Sequence, residues 1–203
     1  VVDRTGDLVY NYSLTSAWDE TTASRGTSKS ISSIDTNARG IALSDDGTKM
    51  ILCGDGNNTL YEFALSTAYD VTSWSTTADS FALNASNSLS RGILWNDDGT
   101  ELYVLDAGGN LFVYTTTTAY QLSGMSYDSS VALGIDNNSV IAMNWANDGY
   151  NLLVTNDSSD DLYSFYCSTA YDAGTLDFRA QIPLNSPAPS AIQVAGTGSK
   201  LLE

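Results

Sequence analysis

Apolar and polar residues follow two patterns along this chain, and both patterns return at regular intervals. The segments Met50–Cys53, Leu102–Leu105 and Leu152–Thr155 are apolar on both faces, and a strand of that kind must be covered on both sides. The segments Leu60–Leu65 and Leu162–Tyr166 instead alternate apolar with polar residues, as half-buried strands do. Helical periodicity is weak, and Thr, Ser, Val and Tyr are frequent, so the pattern predicts an all-β protein.

Two landmarks recur in the same order four times. The pentapeptide STAYD at Ser66–Asp70 returns at Ser168–Asp172. Two looser copies are TSAWD at Thr15–Asp19 and TTAYQ at Thr117–Gln121. The alanines of the four copies are spaced by 51 residues, at Ala17, Ala68, Ala119 and Ala170. The second landmark is an apolar hairpin with a glycine in its turn, at Gly47, Gly99, Gly149 and Gly198. Two landmarks repeated in one order indicate four structural repeats.

Each repeat is predicted to form four short antiparallel strands. The first, such as Ile41–Ser44, ends in an Asp-Asp-Gly or Asn-Asp-Gly turn, which suits sharp hairpins because Gly and Asn tolerate positive φ. The doubly apolar strand comes second, the alternating strand third, and a more polar strand such as Asp79–Leu83 fourth. The pentapeptide is then the turn from the third strand to the outermost one. Four-stranded units of about fifty residues, stacked around an axis, form a β-propeller.

A resemblance to known propeller repeats supports this interpretation. The run GIALSDDGTKMIL at Gly40–Leu52 resembles the innermost hairpin of the YVTN and NHL-like propeller repeats. That hairpin followed by LYEFALSTAYDVTS at Leu60–Ser73 is similar to repeats in secreted bacterial and marine phage proteins. The resemblance covers essentially the whole chain. It implies a propeller fold and little about function, since propellers have many unrelated functions.

The two ends of the chain fall at nearly the same point of the repeat. Val1–Val2 correspond to Leu52–Cys53 of the next repeat, and Leu202–Glu203 correspond to Ile51–Leu52. We therefore expect one domain, residues 1–203, folded as a four-bladed β-propeller whose last four-stranded blade is closed by both termini. The alternative is that the chain is part of a six- to eight-bladed ring, excerpted from a longer protein.

Charge and composition exclude several kinds of partner. The chain has 24 acidic and 8 basic residues and a formal net charge of −16, so it lacks the basic surface that nucleic-acid binding requires. No apolar run reaches the roughly 18 residues that cross a bilayer, and membrane insertion is not expected. An acidic surface rich in Ser, Thr and Asn is typical of proteins that stay soluble outside cells, so we expect an extracellular, cell-surface or virion location.

The residue types also restrict the chemistry. Histidine is absent, which removes histidine-dependent catalysis and imidazole-bound metals. The turns at Asp45–Asp46 and Asp97–Asp98 offer adjacent acids and a glycine, which is the chemistry of a hairpin turn rather than of a calcium loop. We predict no cofactor and no metal. Cys53 and Cys167 occupy different repeat positions and are expected to be buried free thiols.

The candidate ligand-binding residues lie on one predicted face of the ring. The repeat position just before the first strand holds Arg39, Arg91, Ile141 and Ser190. Arg39 and Arg91 are thus in adjacent blades at the rim of the central channel, and Arg4 is expected on the same face. The predicted ligand-binding set is Arg4, Asp35, Arg39, Arg91 and Asp106. The alternative is that each arginine pairs with a neighbouring acid, such as Asp35 or Asp106, and only closes the ring.

The aromatic residues of the pentapeptides allow two interpretations. Trp18, Tyr69, Tyr120 and Tyr171 could form a ring that stacks sugars, but aromatics repeated at one blade position usually pack within the repeat. Composition and resemblance together favour a non-catalytic interaction module, extracellular or on a virion surface, that presents loops to a glycan or a surface protein. The alternative is a purely structural subunit or spacer of a fibre or capsid, with oligomer or fibre assembly. A metal-dependent hydrolase or lyase is less favoured, so the chain is predicted not to be an enzyme.

Overall fold

The structure is a computed structural model that describes residues 1–17, 19–75, 77–84, 86–87, 89–135, 139–184, 192–195 and 200–202. Over these residues the chain forms short strands and two single turns of 3-10 helix, at Glu20–Thr22 and Ala173–Thr175. Neither helical turn is long and apolar enough to cross a membrane. The protein is therefore all-β, as its hydrophobic pattern predicts.

The strands follow one another in groups that match the sequence repeats. The first group is β1 (Val2–Asp3), β2 (Leu8–Leu14) and β3 (Ala23–Ser30). The second group is β4 (Ala38–Leu43), β5 (Lys49–Gly54), β6 (Thr59–Ala64) and β7 (Thr77–Ala82). The third group is β8 (Ser90–Trp95), β9 (Glu101–Asp106), β10 (Asn110–Thr115) and β11 (Ser126–Ala132). The last strands are β12 (Val140–Ala146), β13 (Asn151–Asn156), β14 (Asp161–Cys167), β15 (Leu176–Pro183), β16 (Gln193–Ala195) and β17 (Lys200–Leu202).

Three of the sheets are four-stranded antiparallel meanders in chain order. They are β4-β5-β6-β7, β8-β9-β10-β11 and β12-β13-β14-β15, and we call them blades I, II and III. The remaining described strands form the sheet β1-β2-β3 and the hairpin β16-β17, which we call together blade IV. A meander of consecutive strands needs only short turns, and the Asp-Asp-Gly and pentapeptide turns supply them.

The blades are arranged around a central axis with their first strands innermost. Strand β4 packs against β8, and β8 packs against β12. At the two ends of this arc, β1 contacts β4 and β16 contacts β12. The fold is a four-bladed β-propeller whose last blade takes strands from both termini, which confirms the prediction. The inner strands approach closely at glycines, since a Cβ on Gly40 would lie 3.3 Å from the Cα of Gly92.

Apolar cores fill the spaces between adjacent blades. Between blades I and II the buried side chains include Ile51, Leu60, Leu102, Phe112 and Tyr114. Between blades II and III they include Leu105, Leu111, Met143, Val154 and Phe165. Between blades IV and I they include Val9, Ile31, Leu52, Phe63 and Trp74. Successive residues of a second strand point to opposite faces and so reach opposite neighbouring blades, which explains why these strands are apolar on both faces.

The pentapeptide connects the third strand of a blade to its fourth, as predicted. Its tyrosines Tyr69, Tyr120 and Tyr171 adopt positive φ angles of 61°, 57° and 62°, and each ring lies over the hairpin glycine of its own blade. A Cβ on Gly47 would lie 2.6 Å from the ring of Tyr69. The backbone N–H of each tyrosine donates to that glycine's carbonyl over 2.8 to 2.9 Å. The three rings therefore pack within the repeat, whereas Trp18 lies outside the described residues.

Candidate functional site

Three equivalent bulges lie in the inner strands of blades I, II and III. The pairing register shifts between Ala38 and Gly40 in β4, and the same shift occurs in β8 and β12. The residues left without a ladder partner are Arg39, Arg91 and Ile141. The bulge lets pairing continue beyond the unpaired residue, so β4 begins at Ala38 rather than at the predicted Ile41. Ser190, the predicted fourth member, lies outside the described residues.

Arg39 and Arg91 share one carboxylate oxygen of Asp55. The Nε of Arg39 donates to Oδ2 of Asp55 over 2.8 Å, and its Nη2 lies 2.7 Å from the same oxygen. From the neighbouring blade, Nη1 of Arg91 donates to that oxygen over 2.9 Å. The Asp55 side chain is only 10% exposed. Charge-assisted hydrogen bonds therefore join blades I and II where Arg39 and Arg91 meet.

The sharing of one oxygen leaves polar atoms without partners. Oδ1 of Asp55 and Nε of Arg91 are both buried and make no hydrogen bond. The pKa of Arg91 is lowered mainly by burial, which Asp55 opposes, and the positive charges of Arg39 and Arg4 lower it further. Asp157 acts on Arg91 in the opposite direction. Arg4 and Asp157 are therefore close enough to Arg91 for their charges to influence it.

Asp55, Asp157 and Arg4 occupy one repeat position. Each is the first residue beyond a second strand, after β5, β13 and β1, and Ala107 holds the same position after β9. Asp157 and Arg4 are exposed, whereas Asp55 lies between the arginines. Because equivalent positions of a propeller surround its axis, these residues border the mouth of the central channel. Among the described residues, three cations and the carboxylates of Asp55 and Asp157 thus lie at the mouth of a chain whose net charge is −16.

Asp35 and Asp106, which complete the predicted ligand-binding set, fix loops instead of pairing with the arginines. Asp35 is 3% exposed, and its Oδ1 accepts the backbone N–H of Asn37 over 2.7 Å. Asp106 is 2% exposed, and its carboxylate accepts both the backbone N–H of Asn110 at 2.8 Å and its side-chain amide. The acid between the two arginines is Asp55, which the sequence did not single out.

The acidic hairpin turns use their carboxylates internally. Oδ1 of Asp46 accepts the N–H of Thr48 at 2.9 Å, its hydroxyl at 2.7 Å and the hydroxyl of Ser44 at 2.7 Å. These hydrogen bonds, led by the one from the Thr48 backbone, lower the pKa of Asp46 to about 2. Within the part of the chain that the structure describes, no group of three or more Cys, Asp or Glu side chains is placed to hold a metal ion.

A separate cleft of about 150 Å³ opens between blades II and III. Its lining includes Glu101, Asp128, Tyr171 and Asp172. Three acidic side chains and no cation line it, so an anionic group would be repelled there. The channel mouth is therefore the better candidate for binding a group that carries or develops negative charge.

No protein-family model matches the chain, and no curated protein is similar to it in sequence. Solved structures do share its shape. A candidate 6-phosphogluconolactonase from Bacteroides uniformis superposes with a TM-score of 0.63 at 13% identity, over 97% of this chain and 60% of that one. A periplasmic gluconolactonase from Pseudomonas aeruginosa gives 0.61 at 15% identity, over 96% and 58%. The β-propeller domain of Swd1 from Myceliophteria thermophila gives 0.50 at 9% identity, over 76% and 46%.

The chain thus spans about 60% of the length of the two lactonase structures. At these identities the similarity shows the propeller fold alone. The prediction of a non-catalytic binding module that is not an enzyme is nevertheless contradicted, because solved proteins of this shape include gluconolactonases. That prediction was wrong because it treated the absence of histidine as an absence of catalytic groups, although carboxylates and arginines can also supply acid–base and electrostatic catalysis.

Proposed function

We propose that this chain is a hydrolase that opens a small sugar lactone at the mouth of its central channel. The observation that carries the proposal is the set of charged residues at that mouth. Arg39 and Arg91 converge on Asp55, while Arg4 and Asp157 flank them and are exposed. Lactone hydrolysis needs a base for water and positive charge for the carbonyl oxygen, and this mouth contains both.

Asp157 is the proposed general base. Its exposed carboxylate occupies the repeat position that Asp55 occupies in blade I. Unlike Asp55, it forms no ion pair with an arginine among the described residues. It accepts a proton from a water molecule that attacks the lactone carbonyl carbon. The ring C–O bond then breaks, and the proton passes to the leaving alcohol oxygen. The product is an open hydroxy acid, whose carboxyl group ionises at neutral pH.

Arg91 and Arg4 are the proposed electrostatic partners of the carbonyl oxygen. Negative charge develops on this oxygen as water adds, and a fixed guanidinium group stabilises that charge without reorganising during the step. A neutral lactone is also not repelled by a chain of net charge −16, whereas a polyanionic ligand would be. The lactonase structures that share this fold support the choice of a lactone.

The test is the hydrolysis of glucono-1,5-lactone, which is monitored as the rate of proton release in excess of the uncatalysed rate. Asp157→Asn should lower kcat/KM by about 100-fold or more, the usual contribution of a general base. Asp177→Asn serves as the control, because Asp177 is exposed on β15 and its loss changes the net charge by the same amount and with the same sign. A wild-type rate equal to the background for this lactone and for its 1,4-isomer would overturn the proposal. So would an Asp157→Asn variant that retains full activity.

We also propose that the repeats are of the YVTN and NHL-like type. The similarity of their inner hairpins to those repeats supports this assignment. An extracellular, cell-surface or virion location stays a prediction from composition.

A further inference from the structure

We infer that Arg91, with Arg4, forms a carboxylate-binding site that retains the acid product of the reaction. The identity of the acid rests on the proposed lactone hydrolysis, whereas the binding itself requires no turnover. Three observations carry the inference: the hydrogen-bond pattern of the arginines, the local charge, and the geometry of the guanidinium edge that stays unused.

The hydrogen bonds at the channel mouth contain too few acceptors. Oδ2 of Asp55 receives both Arg39 and Arg91, at 2.8 and 2.9 Å, while Nε of Arg91 is buried without a partner. A buried donor without an acceptor costs about 1–3 kcal/mol, and buried polar groups in folded proteins are nearly always satisfied. A ligand carboxylate would supply the missing acceptor.

The charges at the mouth are also unbalanced. Among the described residues, Asp55 pairs with Arg39 and Arg91, and Asp157 acts on Arg91 by its charge, against the three cations Arg4, Arg39 and Arg91. The positive charges of Arg39 and Arg4 act against the ionised form of Arg91. One bound carboxylate would neutralise the excess and so stabilise the group that holds it. This local excess of positive charge stands out in a chain with 24 acids and 8 bases.

The unused edge of Arg91 has the shape that a carboxylate requires. Asp55 occupies Nη1 of Arg91, which leaves the edge formed by Nε and Nη2. That edge presents two parallel N–H donors that match the two oxygens of a carboxylate. The Arg91 side chain is 13% exposed and its Nε is buried, so a ligand carboxylate reaches this edge only after a rotation of the side chain.

The inference has a kinetic consequence for the proposed reaction. The oxygen that accepts negative charge during the attack becomes one of the two carboxylate oxygens of the product. The arginines that stabilise the negative charge during the attack therefore also bind the carboxylate of the product, and the acid should compete with the lactone for the site. Product inhibition by the acid is the expected result.

The binding experiment uses the full chain and needs no substrate. Sodium D-gluconate is titrated by calorimetry, with D-gluconamide as its neutral analogue and inorganic phosphate as the alternative anion. We expect gluconate to bind at least about tenfold more tightly than gluconamide, since a charge-assisted pair is lost. Arg91→Gln should weaken the binding of gluconate by about tenfold or more, and Arg4→Gln should weaken it by less. Arg179 is exposed on another blade, so Arg179→Gln should change the Kd for gluconate by less than about twofold.

Thermal melts of every variant identify loss of folding. If Arg91→Gln does not fold, Arg91→Lys keeps the charge and removes the planar edge, and it should still weaken gluconate. Equal binding of gluconate and gluconamide, or gluconate binding unchanged by either Arg91 variant, would overturn the inference. Tighter binding of phosphate than of gluconate would also overturn the commitment to a carboxylate. Gluconate binding without lactone hydrolysis would refute the proposed function alone, and hydrolysis without gluconate binding would refute this inference alone.

Discussion

The hydroxyl of Tyr171 in blade III donates a 2.5 Å hydrogen bond to Oδ1 of Asp97 in blade II. The same tyrosine covers Gly149 of its own blade and donates its backbone N–H to that glycine. The pentapeptide turn therefore holds a hairpin within its blade and, through the phenol, contacts the hairpin turn of the preceding blade. The hydroxyl of Tyr120 instead donates to the backbone carbonyl of Asp97 in its own blade over 2.8 Å, and the pKa of Tyr120 is raised mainly by burial and further by Asp45 of blade I.

The inter-blade phenol of Tyr171 leads us to predict that the stability of the protein falls at alkaline pH. Burial is the main cause that raises the pKa of Tyr171, and Asp97 raises it further. Between the unfolded pKa of about 10 and the raised folded value, the native state holds a proton that the unfolded chain has lost. The free energy of unfolding contributed by Tyr171 is thus present below about pH 10 and declines above it. Thermal melts from pH 8 to 11.5 should show this loss.

Tyr171→Phe is the matching variant. It should lower the free energy of unfolding at pH 8 by about 1 kcal/mol, because one hydrogen bond is lost. It should also reduce the slope with which the free energy of unfolding falls at alkaline pH. Tyr166→Phe, a change on an exposed tyrosine, is the control. An alkaline slope that Tyr171→Phe leaves unchanged would show that this phenol does not couple the blades.

Gly149→Ala should be costlier than a glycine substitution at a similar backbone angle elsewhere. Gly149 has a φ of +82°, and its added methyl group would overlap the ring of Tyr171. Gly134 has a φ of +68° and nothing within 4 Å of its Cβ position. Both variants bear the strain of positive φ, about 1 kcal/mol, so the difference between them isolates the ring contact. We expect Gly149→Ala to lose a further 1–3 kcal/mol in urea unfolding, roughly the cost of overpacking. Equal losses would contradict the packing role of Tyr171.

Glu62 is predicted to stabilise the junction of blades I and II. Its Oε2 accepts the backbone N–H of Leu122 over 2.8 Å, and its Oε1 lies 3.4 Å from Nζ of Lys49. Glu62→Leu leaves the N–H of Leu122 without an acceptor and should cost about 1–3 kcal/mol. Glu62→Gln keeps an acceptor oxygen and should cost less. The ranking is measured by urea unfolding, and a Leu variant as stable as the Gln variant would contradict the assignment.

The fold was predictable because every blade repeats the same local signals. Alternation, doubly apolar strands and turn glycines such as Gly47 and Gly99 appear in the same order in each repeat, and each has a direct physical meaning. Strand ends were predicted less well. Ala38 belongs to β4 only because the bulge at Arg39 carries the pairing past it, and nothing in the hydrophobic pattern marks a bulge.

The candidate site was predictable only in part. The shared repeat position drew attention to Arg39 and Arg91, but their common partner Asp55 depends on which side chain crosses from one blade to the next. Alignment of the first residue beyond each second strand could have identified Asp55 together with Asp157 and Arg4. The positive φ of Tyr171 had no such signal, because a tyrosine rarely adopts it and only the packing on Gly149 explains it.

The bulges in the inner strands β4, β8 and β12 separate the strand pairing of a blade from the side chain that the blade presents at the channel mouth. A bulge residue has no ladder partner, so its side chain can change while the strands on both sides keep their pairing. The described blades already differ there, with arginine in two and isoleucine in the third. A new ligand preference can therefore arise one blade at a time, by single substitutions that leave the strand pairing of that blade in place. The sheets of the ring and the side chains at its channel mouth can therefore change independently of each other.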